Sequence, residues 1–172
     1  MSRPQPAEYD AYYEKYVSLV PEDEVITALA AQPDELGQLF NDVPDEKGTF
    51  AYADGKWTVK ESLGHLIDGE RMFAYRAFRI ARGDKTPIEG FEQDGYIENS
   101  HANRRSIAEL LNEFRLLREA NVLFFRNLEA GDWLREGTAN NVTISVRSLA
   151  WIMAGHIRHH VAIFQERYFT KS

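Results

Sequence analysis

Apolar residues recur along most of this chain at helical spacing, three and four apart, rather than in strand-like alternation. Four long segments carry the pattern. The first opens near Pro21, a residue suited to a first helical turn, and continues to about Phe40. The second opens at "TVKE", where Thr58 and Glu61 form a capping-box pattern, and closes at Gly83. The third opens at "SIAE", with Ser106 and Glu109 in the same relation, and closes before Gly131. The fourth runs from near Ser145 to about Tyr168. Ahead of them, "AEYDAYYEKYVSLVP" spaces Tyr9, Tyr12, Tyr13, Tyr16, Val17 and Val20 as a short amphipathic helix, predicted to pack across the outside of the core. The connections "NDVPDEKGTFAYADGKW", "GDKTPIEGFEQDGYIENSHAN" and "GDWLREGTANNVTI" exceed the roughly 2 to 8 residues usual between bundle helices. They are long enough to cross a bundle end, to cover a site, or to let successive helices run parallel. The pattern predicts an all-α four-helix bundle with few or no strands, in one domain over residues 1–172, with residues 1–20 as an extension packed on it.

Composition narrows the partners. A net charge of -7 and a pI near 5.3 speak against nucleic acid, which needs clustered Lys and Arg. No apolar run approaches the roughly 18 residues of a membrane span, and "MSRPQPAEYD" lacks a secretory apolar region, so the expectation is a cytoplasmic protein without a membrane partner. The chain has no cysteine. That excludes disulfides, thiolate metal sites and a cysteine nucleophile, and leaves His, Asp and Glu as the available metal ligands.

Three of the five histidines fall in "HIRHH", on an otherwise apolar helix. At about 100° per residue from Leu149, the stripe of Val146, Leu149, Ile152, Met153, Ile157, Ile163 and Phe164 spans roughly 300° through 80°. His156 at about 340° and His160 at about 20° lie inside it; His159, at about 280°, lies at its margin. Residues i and i+4 share a face about 5–6 Å apart, so this pair can converge on one metal ion. The competing reading is that each imidazole hydrogen-bonds a neighbour or water. A metal pair needs a third ligand. His101 reads as a solvated loop residue. His65, at about 200° from the apolar stripe of the second helix, reads as exposed. Its height would differ from the pair by about 4.5 Å if the second and fourth helices run antiparallel, and by about 9 Å if parallel.

Taken together, "GKWTVKESLGHLIDGERMFAYRAFRIARGDKTP" and, far downstream, "TISVRSLAWIMAGHIRHHVAIFQERY" resemble the DinB/YfiT-like superfamily, from about Pro21 to Tyr168. The resemblance implies up-down-down-up connectivity, with the second and fourth helices antiparallel. It also implies a metal site of His65, His156 and His160, against the periodicity at His65, and no ligand role for His159 or His101. The second helix would then carry a functional face including Met72 and Asp68. Three imidazoles leave coordination positions open, as in catalytic sites. Zinc and nickel lead as the divalent ion, with iron and copper behind. The implied activity is a metal-dependent hydrolase or a thiol-dependent small-molecule transferase with unknown substrate. Its alternatives are a non-catalytic, stress-associated metal-binding bundle and a metal-free bundle with a small-ligand pocket. Protonation predicts metal loss below about pH 6.5.

Other chemistry is thin. "HIRHH" lacks the glutamate of a zinc-protease motif, and "ENSH" (Glu98 to His101) is the lone Glu-x2-His, in a loop. No P-loop, GxGxxG or GxSxG occurs. Asp68, Asp94 and Tyr96 are the general-base candidates, with surface or capping roles as the stronger reading. Glu70 and Arg118 fall in apolar stripes at matching heights, which predicts a buried ion pair. Trp151, Ala154, Gly155 and Ala162 form an outer face of the last helix open to close approach, either by the Tyr-rich segment or by a second subunit; the family resemblance favours a homodimer.

Overall fold

Capping boxes fix where three of the bundle helices begin. Thr58 accepts from the Glu61 backbone N–H while the Glu61 carboxylate accepts from that of Thr58, which opens a helix over Val59–Ala81. Ser106 and Glu109 do the same for Ile107–Arg126, and Ser145 with Ser148 for Val146–Ile163. The computed structural model describes residues 1–21 and 23–169. In chain order its elements are α1 (Glu14–Val17), α2 (Val25–Leu39), α3 (Val59–Ala81), α4 (Gln93–Ser100), α5 (Ile107–Arg126), α6 (Ala130–Trp133), β1 (Glu136–Ala139), β2 (Val142–Ser145) and α7 (Val146–Ile163).

Four of these form the bundle predicted from the periodicity. α2 packs on α5 and α7, and α3 packs on the same two. The contacts also give the directions. Along α3, Thr58, Glu70 and Phe78 meet Asn103, Arg118 and Phe124 in that order, so α3 and α5 run parallel. Phe73 meets His156 while Ser62 meets Tyr168, so α3 and α7 run antiparallel. Gln32 reaches Ala154 and Phe40 reaches Phe164, so α2 runs with α7. The connectivity is therefore up-down-down-up. It needs the long connections, because α2 to α3 and α5 to α7 cross the bundle between helices that are not close neighbours, and α3 to α5 joins neighbours that run parallel.

Two apolar clusters fill the interior. One gathers Leu29, Ala77, Ile80, Phe125, Leu149 and Trp151; the other gathers Leu36, Leu63, Leu66, Phe114, Ile157 and Phe164. Between them every bundle helix turns polar at one level. There Gln32 from α2, Glu70 from α3 and Arg118 from α5 are buried, with His156 of α7 alongside. Arg118 donates to both Glu70 oxygens at 2.7 Å, and Asn121 adds a bond to Oε1 at 2.8 Å. Gln32 accepts from Arg118 and donates to the Ala154 carbonyl at 2.7 Å. The expected ion pair is present and fully hydrogen-bonded.

Several boundaries depart from the periodicity. α2 starts at Val25, after an extended Glu24; Glu22, inside the predicted first turn, lies outside the described residues. α5 stops at Arg126, and α6 forms separately before the hairpin. The loop predicted after Gly83 contains α4, opened by the Glu92 side chain accepting from Asp94 and Gly95. β1 and β2 pair antiparallel across Asn140 and Asn141, both at positive φ. Asparagine tolerates that conformation, which suits a two-residue hairpin turn. After α7 the chain continues to Tyr168 as a π turn.

The N-terminal segment is two 3-10 turns followed by α1 rather than one amphipathic helix. It packs on the bundle. Tyr9, Tyr13, Tyr16, Val17 and Val20 are buried, while Tyr12 points out. α1 lies on α7 directly over Gly155, so the outer face of the last helix is covered by the chain's own N-terminal segment. Glu8 fastens it further, accepting from Ser145 Oγ at 2.8 Å and Arg147 Nε at 3.1 Å. Among the described residues no helix is long and apolar enough to cross a membrane.

Candidate metal centre

α3 brings His65 and α7 brings His156 and His160 to one point. One ring nitrogen from each lies within 4.8 Å of the others, and the Nε2 atoms of His65 and His156 are 3.0 Å apart. Ring centroids are 4.7 to 5.0 Å apart for all three pairs. The predicted exposure of His65 is thus corrected: the residue is 6% exposed. α3 is buried over most of its circumference, because α4, α5, α7 and the turns at 45–49 and 102–104 all pack on it. A stripe-based count sees one buried face and misses a second.

Each imidazole is held by neighbours. The Trp57 ring lies 4.7 Å from that of His65. Trp57 is itself pinned, since Tyr168 Oη donates to its carbonyl at 2.5 Å and pairs with Ser62 Oγ at 3.2 Å. Tyr16 and Phe73 meet the His156 ring edge-on at 5.4 and 5.6 Å. Gly69 permits this closeness: a Cβ there would sit 3.0 Å from His156 Cε1. His159 packs against Tyr16 and His160, half-buried and outside the cluster. His101 is exposed at the C-terminus of α4, in the left-handed region.

Burial keeps the cluster uncharged. It pushes the His65 imidazole down to about 4, with the nearby His159 adding a smaller push. Burial, then repulsion from the neighbouring histidines, holds His156 and His160 well below the ordinary value. Neutral nitrogens are what a metal requires. Ligands at about 2.0–2.1 Å from a tetrahedral ion lie about 3.3 Å from each other; the His65–His156 pair at 3.0 Å is near that spacing, and His160 lies within 4.8 Å of both. Among the described residues no fourth His, Asp or Glu joins the cluster.

These shifts fix a pH dependence. Ordinary histidines in the unfolded chain titrate near 6.5, whereas the folded ones titrate lower. Below about pH 6.5 the unfolded state therefore takes up protons that the folded state refuses. Stability present above that pH is lost as pH falls, by up to about 1.4 kcal/mol per pH unit for each histidine, until His65 itself titrates near 4. We expect the melting temperature of chelator-treated protein to fall steadily from pH 7 to pH 5, and less steeply in His156→Phe; parallel profiles would contradict this. Proton competition for a metal is likewise moved below the pH 6.5 expected for free histidines.

A cavity of about 640 Å³ opens beside the cluster and is lined by both His65 and His156. Its α3 wall is Gly69, Phe73 and Arg76, and the N-terminal segment adds Tyr12, Tyr13 and Tyr16. Asp68 and Met72, the functional face predicted for α3, are not part of it. Asp68 lines a separate groove with Arg71, Tyr96 and Glu113, three residues round the helix from His65, and burial pushes its carboxyl up. The cavity wall instead follows positions 4, 8 and 11 past His65, which share its face. Asp94 sits exposed in the first turn of α4, and Tyr96 belongs to the Asp68 groove. Of the rim carboxylates, Asp10 accepts from the Tyr12 N–H and Glu92 caps α4, so both are engaged.

Comparison with known proteins gives the family and the fold. A family model described as the DinB superfamily matches residues 28–164. A Bacillus pumilus (strain SAFR-032) protein named "Putative metal-dependent hydrolase" is 26% identical over 144 residues, covering 82% of this chain and 81% of that protein. A similarly named protein of Bacillus mycoides (strain KBAB4) is 26% identical over 155 residues, covering 86% and 87%. Among solved structures, YfiT from Bacillus subtilis, described as "a probable metal-dependent hydrolase with an unusual four-helix bundle topology", superposes with a TM-score of 0.75 at 20% identity, over 93% of this chain and 89% of that one. A mycothiol-dependent maleylpyruvate isomerase superposes with a TM-score of 0.70 at 14% identity, over 91% of this chain and 64% of that one. At those identities the two structures speak for the fold.

Proposed function

The chain belongs to the DinB superfamily, and from that premise we propose that it is a metal-dependent hydrolase acting on a small molecule, with His65, His156 and His160 holding one divalent ion, zinc or nickel. The observation that carries this reading is the meeting of three neutral imidazoles, with His65 and His156 buried and lining a 640 Å³ cavity. A structural metal site is closed by four protein ligands; this one has three and adjoins a space of substrate size. That favours catalysis over passive metal storage.

When bound, such an ion supplies Lewis acidity, polarising a carbonyl oxygen and making water more acidic. The chain's residues do the rest. The three imidazoles stay unprotonated and so available as ligands throughout the neutral range. Trp57 and Phe73 pack against the rings of His65 and His156 and keep bulk water from that side. Burial pushes the Tyr16 phenol up, so it keeps its proton and does not act as a base.

The test is to load the protein with zinc or nickel and assay it on ester, amide and thiol-conjugation substrates, beside chelated protein and His160→Ala. Hydrolysis that appears with metal and is lost in both controls supports the reading. Thiol conjugation with the same dependence replaces it by a transferase, and inactivity of metal-replete protein across all three panels contradicts catalysis.

A further inference from the structure

Among the described residues two arginines are buried, and they differ in what surrounds them. Arg118 has both Glu70 oxygens, the Gln32 amide oxygen and the Leu29 carbonyl. Arg76 is 3% exposed and forms no ion pair among the described residues. Its Nη2 donates to the Glu89 carbonyl across a long 3.3 Å, and its Nε is buried with no partner. A buried cation without an anion is costly, and a fold that needed Arg76 only for support would supply a carboxylate, as it does for Arg118.

What Arg76 faces is the cavity. It lines the same space as His65 and His156, eleven residues past His65 on the same face of α3. Gly69, between them, leaves that wall free of a side chain near His156. The rise between the two Cα atoms is about 16 Å, and an arginine side chain leans back toward the helix N-terminus. The guanidinium and the histidine cluster are therefore separated by on the order of 10 Å of cavity. The Tyr13 hydroxyl stands beside the guanidinium as a further polar group.

We infer that Arg76 is the anchor for a substrate carboxylate, and that the substrate class is a small carboxylic acid whose reactive group lies at the histidines while its carboxylate pairs with Arg76. The inference deepens the metal-dependent reading and rests on it for the position of the reactive group. A carboxylate fits better than a phosphate. The planar guanidinium carries paired N–H donors whose geometry matches two carboxylate oxygens. One guanidinium balances one negative charge, whereas a phosphate dianion would also meet the exposed Asp10 and Glu92 at the rim. The carboxylate is remote from the reacting atoms, so Arg76 acts as a positioning residue.

The experiment measures binding of pentanedioate, hexanedioate and octanedioate, their neutral diamides and inorganic phosphate to the metal-loaded protein by calorimetry. It compares wild type with Arg76→Gln and Arg76→Met, recording metal per chain and melting temperature for each. At least one diacid is expected to bind wild type ten times or more tightly than its diamide. That preference is expected to disappear in both variants at unchanged metal content, with Arg76→Met melting at or above wild type because an unpaired buried charge has gone. Diacid binding indifferent to Arg76, no diacid binding, phosphate binding as tightly with the same Arg76 dependence, or a clear fall in the melting temperature of Arg76→Met would each overturn the inference. Failure of the metal reading shows differently, as wild type that holds no stoichiometric ion whatever the diacids do.

Discussion

Replacing Glu70 with alanine is expected to lower folding stability by about 3–5 kcal/mol, among the largest effects available to a single substitution in this chain. The reason is what remains. Arg118 is fully buried, and without Glu70 it keeps only the Gln32 side chain and the Leu29 carbonyl, neither of which carries charge. Removing both partners together should cost far less. In Glu70→Leu with Arg118→Met the polar layer becomes continuous with the apolar clusters on either side, and burying no charge at all avoids the desolvation penalty. Urea unfolding of the two variants measures the difference. A loss below about 1 kcal/mol in Glu70→Ala would mean that Arg118 escapes to solvent. The layer also bears on the site, because the Arg118 charge contributes to holding the His156 imidazole low.

Gly155→Ala is the second large effect, and its sign runs against helix propensity. In an open helix interior the change would stabilise by about 1 kcal/mol. Here the added Cβ collides with the Tyr16 backbone, carbonyl oxygen included, and a main-chain atom cannot rotate away as a side chain would. The N-terminal segment must lift from α7, and Tyr13, Tyr16 and Val17 lose burial with it. Overpacking of this kind costs about 1–3 kcal/mol. The same movement opens the cavity wall formed by Tyr12, Tyr13 and Tyr16. We expect a lower melting temperature together with rapid proteolytic clipping before Val25. A variant as stable as wild type, with an intact N-terminus under protease, would contradict the close packing of α1 on α7.

How much of this was legible in the residues differs from place to place. Capping boxes at Thr58 and Ser106 gave two helix starts correctly, because the signal is local and hydrogen-bonded within four residues. His156 and His160 could be turned inward from periodicity alone, because both fall within the larger apolar stripe of α7, although its outer face is buried as well. His65 could not. α3 is covered on nearly every side, so angle from one stripe says nothing about burial, and the family resemblance was needed to bring it to the site. The same resemblance led to Asp68 and Met72, which the cavity does not use. Counting 4, 8 and 11 on from His65 would have found Gly69, Phe73 and Arg76. The hairpin was missed although Asn140–Asn141 directly before the β-branched run Val142–Ile144 is a turn signal. Trp57 over His65, held through Tyr168, depends on tertiary contact across 111 residues and leaves no pattern in the chain.

The central claim is that His65, His156 and His160 together hold one divalent ion. Elemental analysis after loading with zinc or nickel and removing free metal tests it most directly, on wild type and on His65→Ala, His156→Ala and His160→Ala. The account predicts one ion per chain in wild type and a small fraction of that in each variant, with the helical content of all four unchanged. Wild type without stoichiometric metal, or any of the three variants retaining it in full, would contradict it.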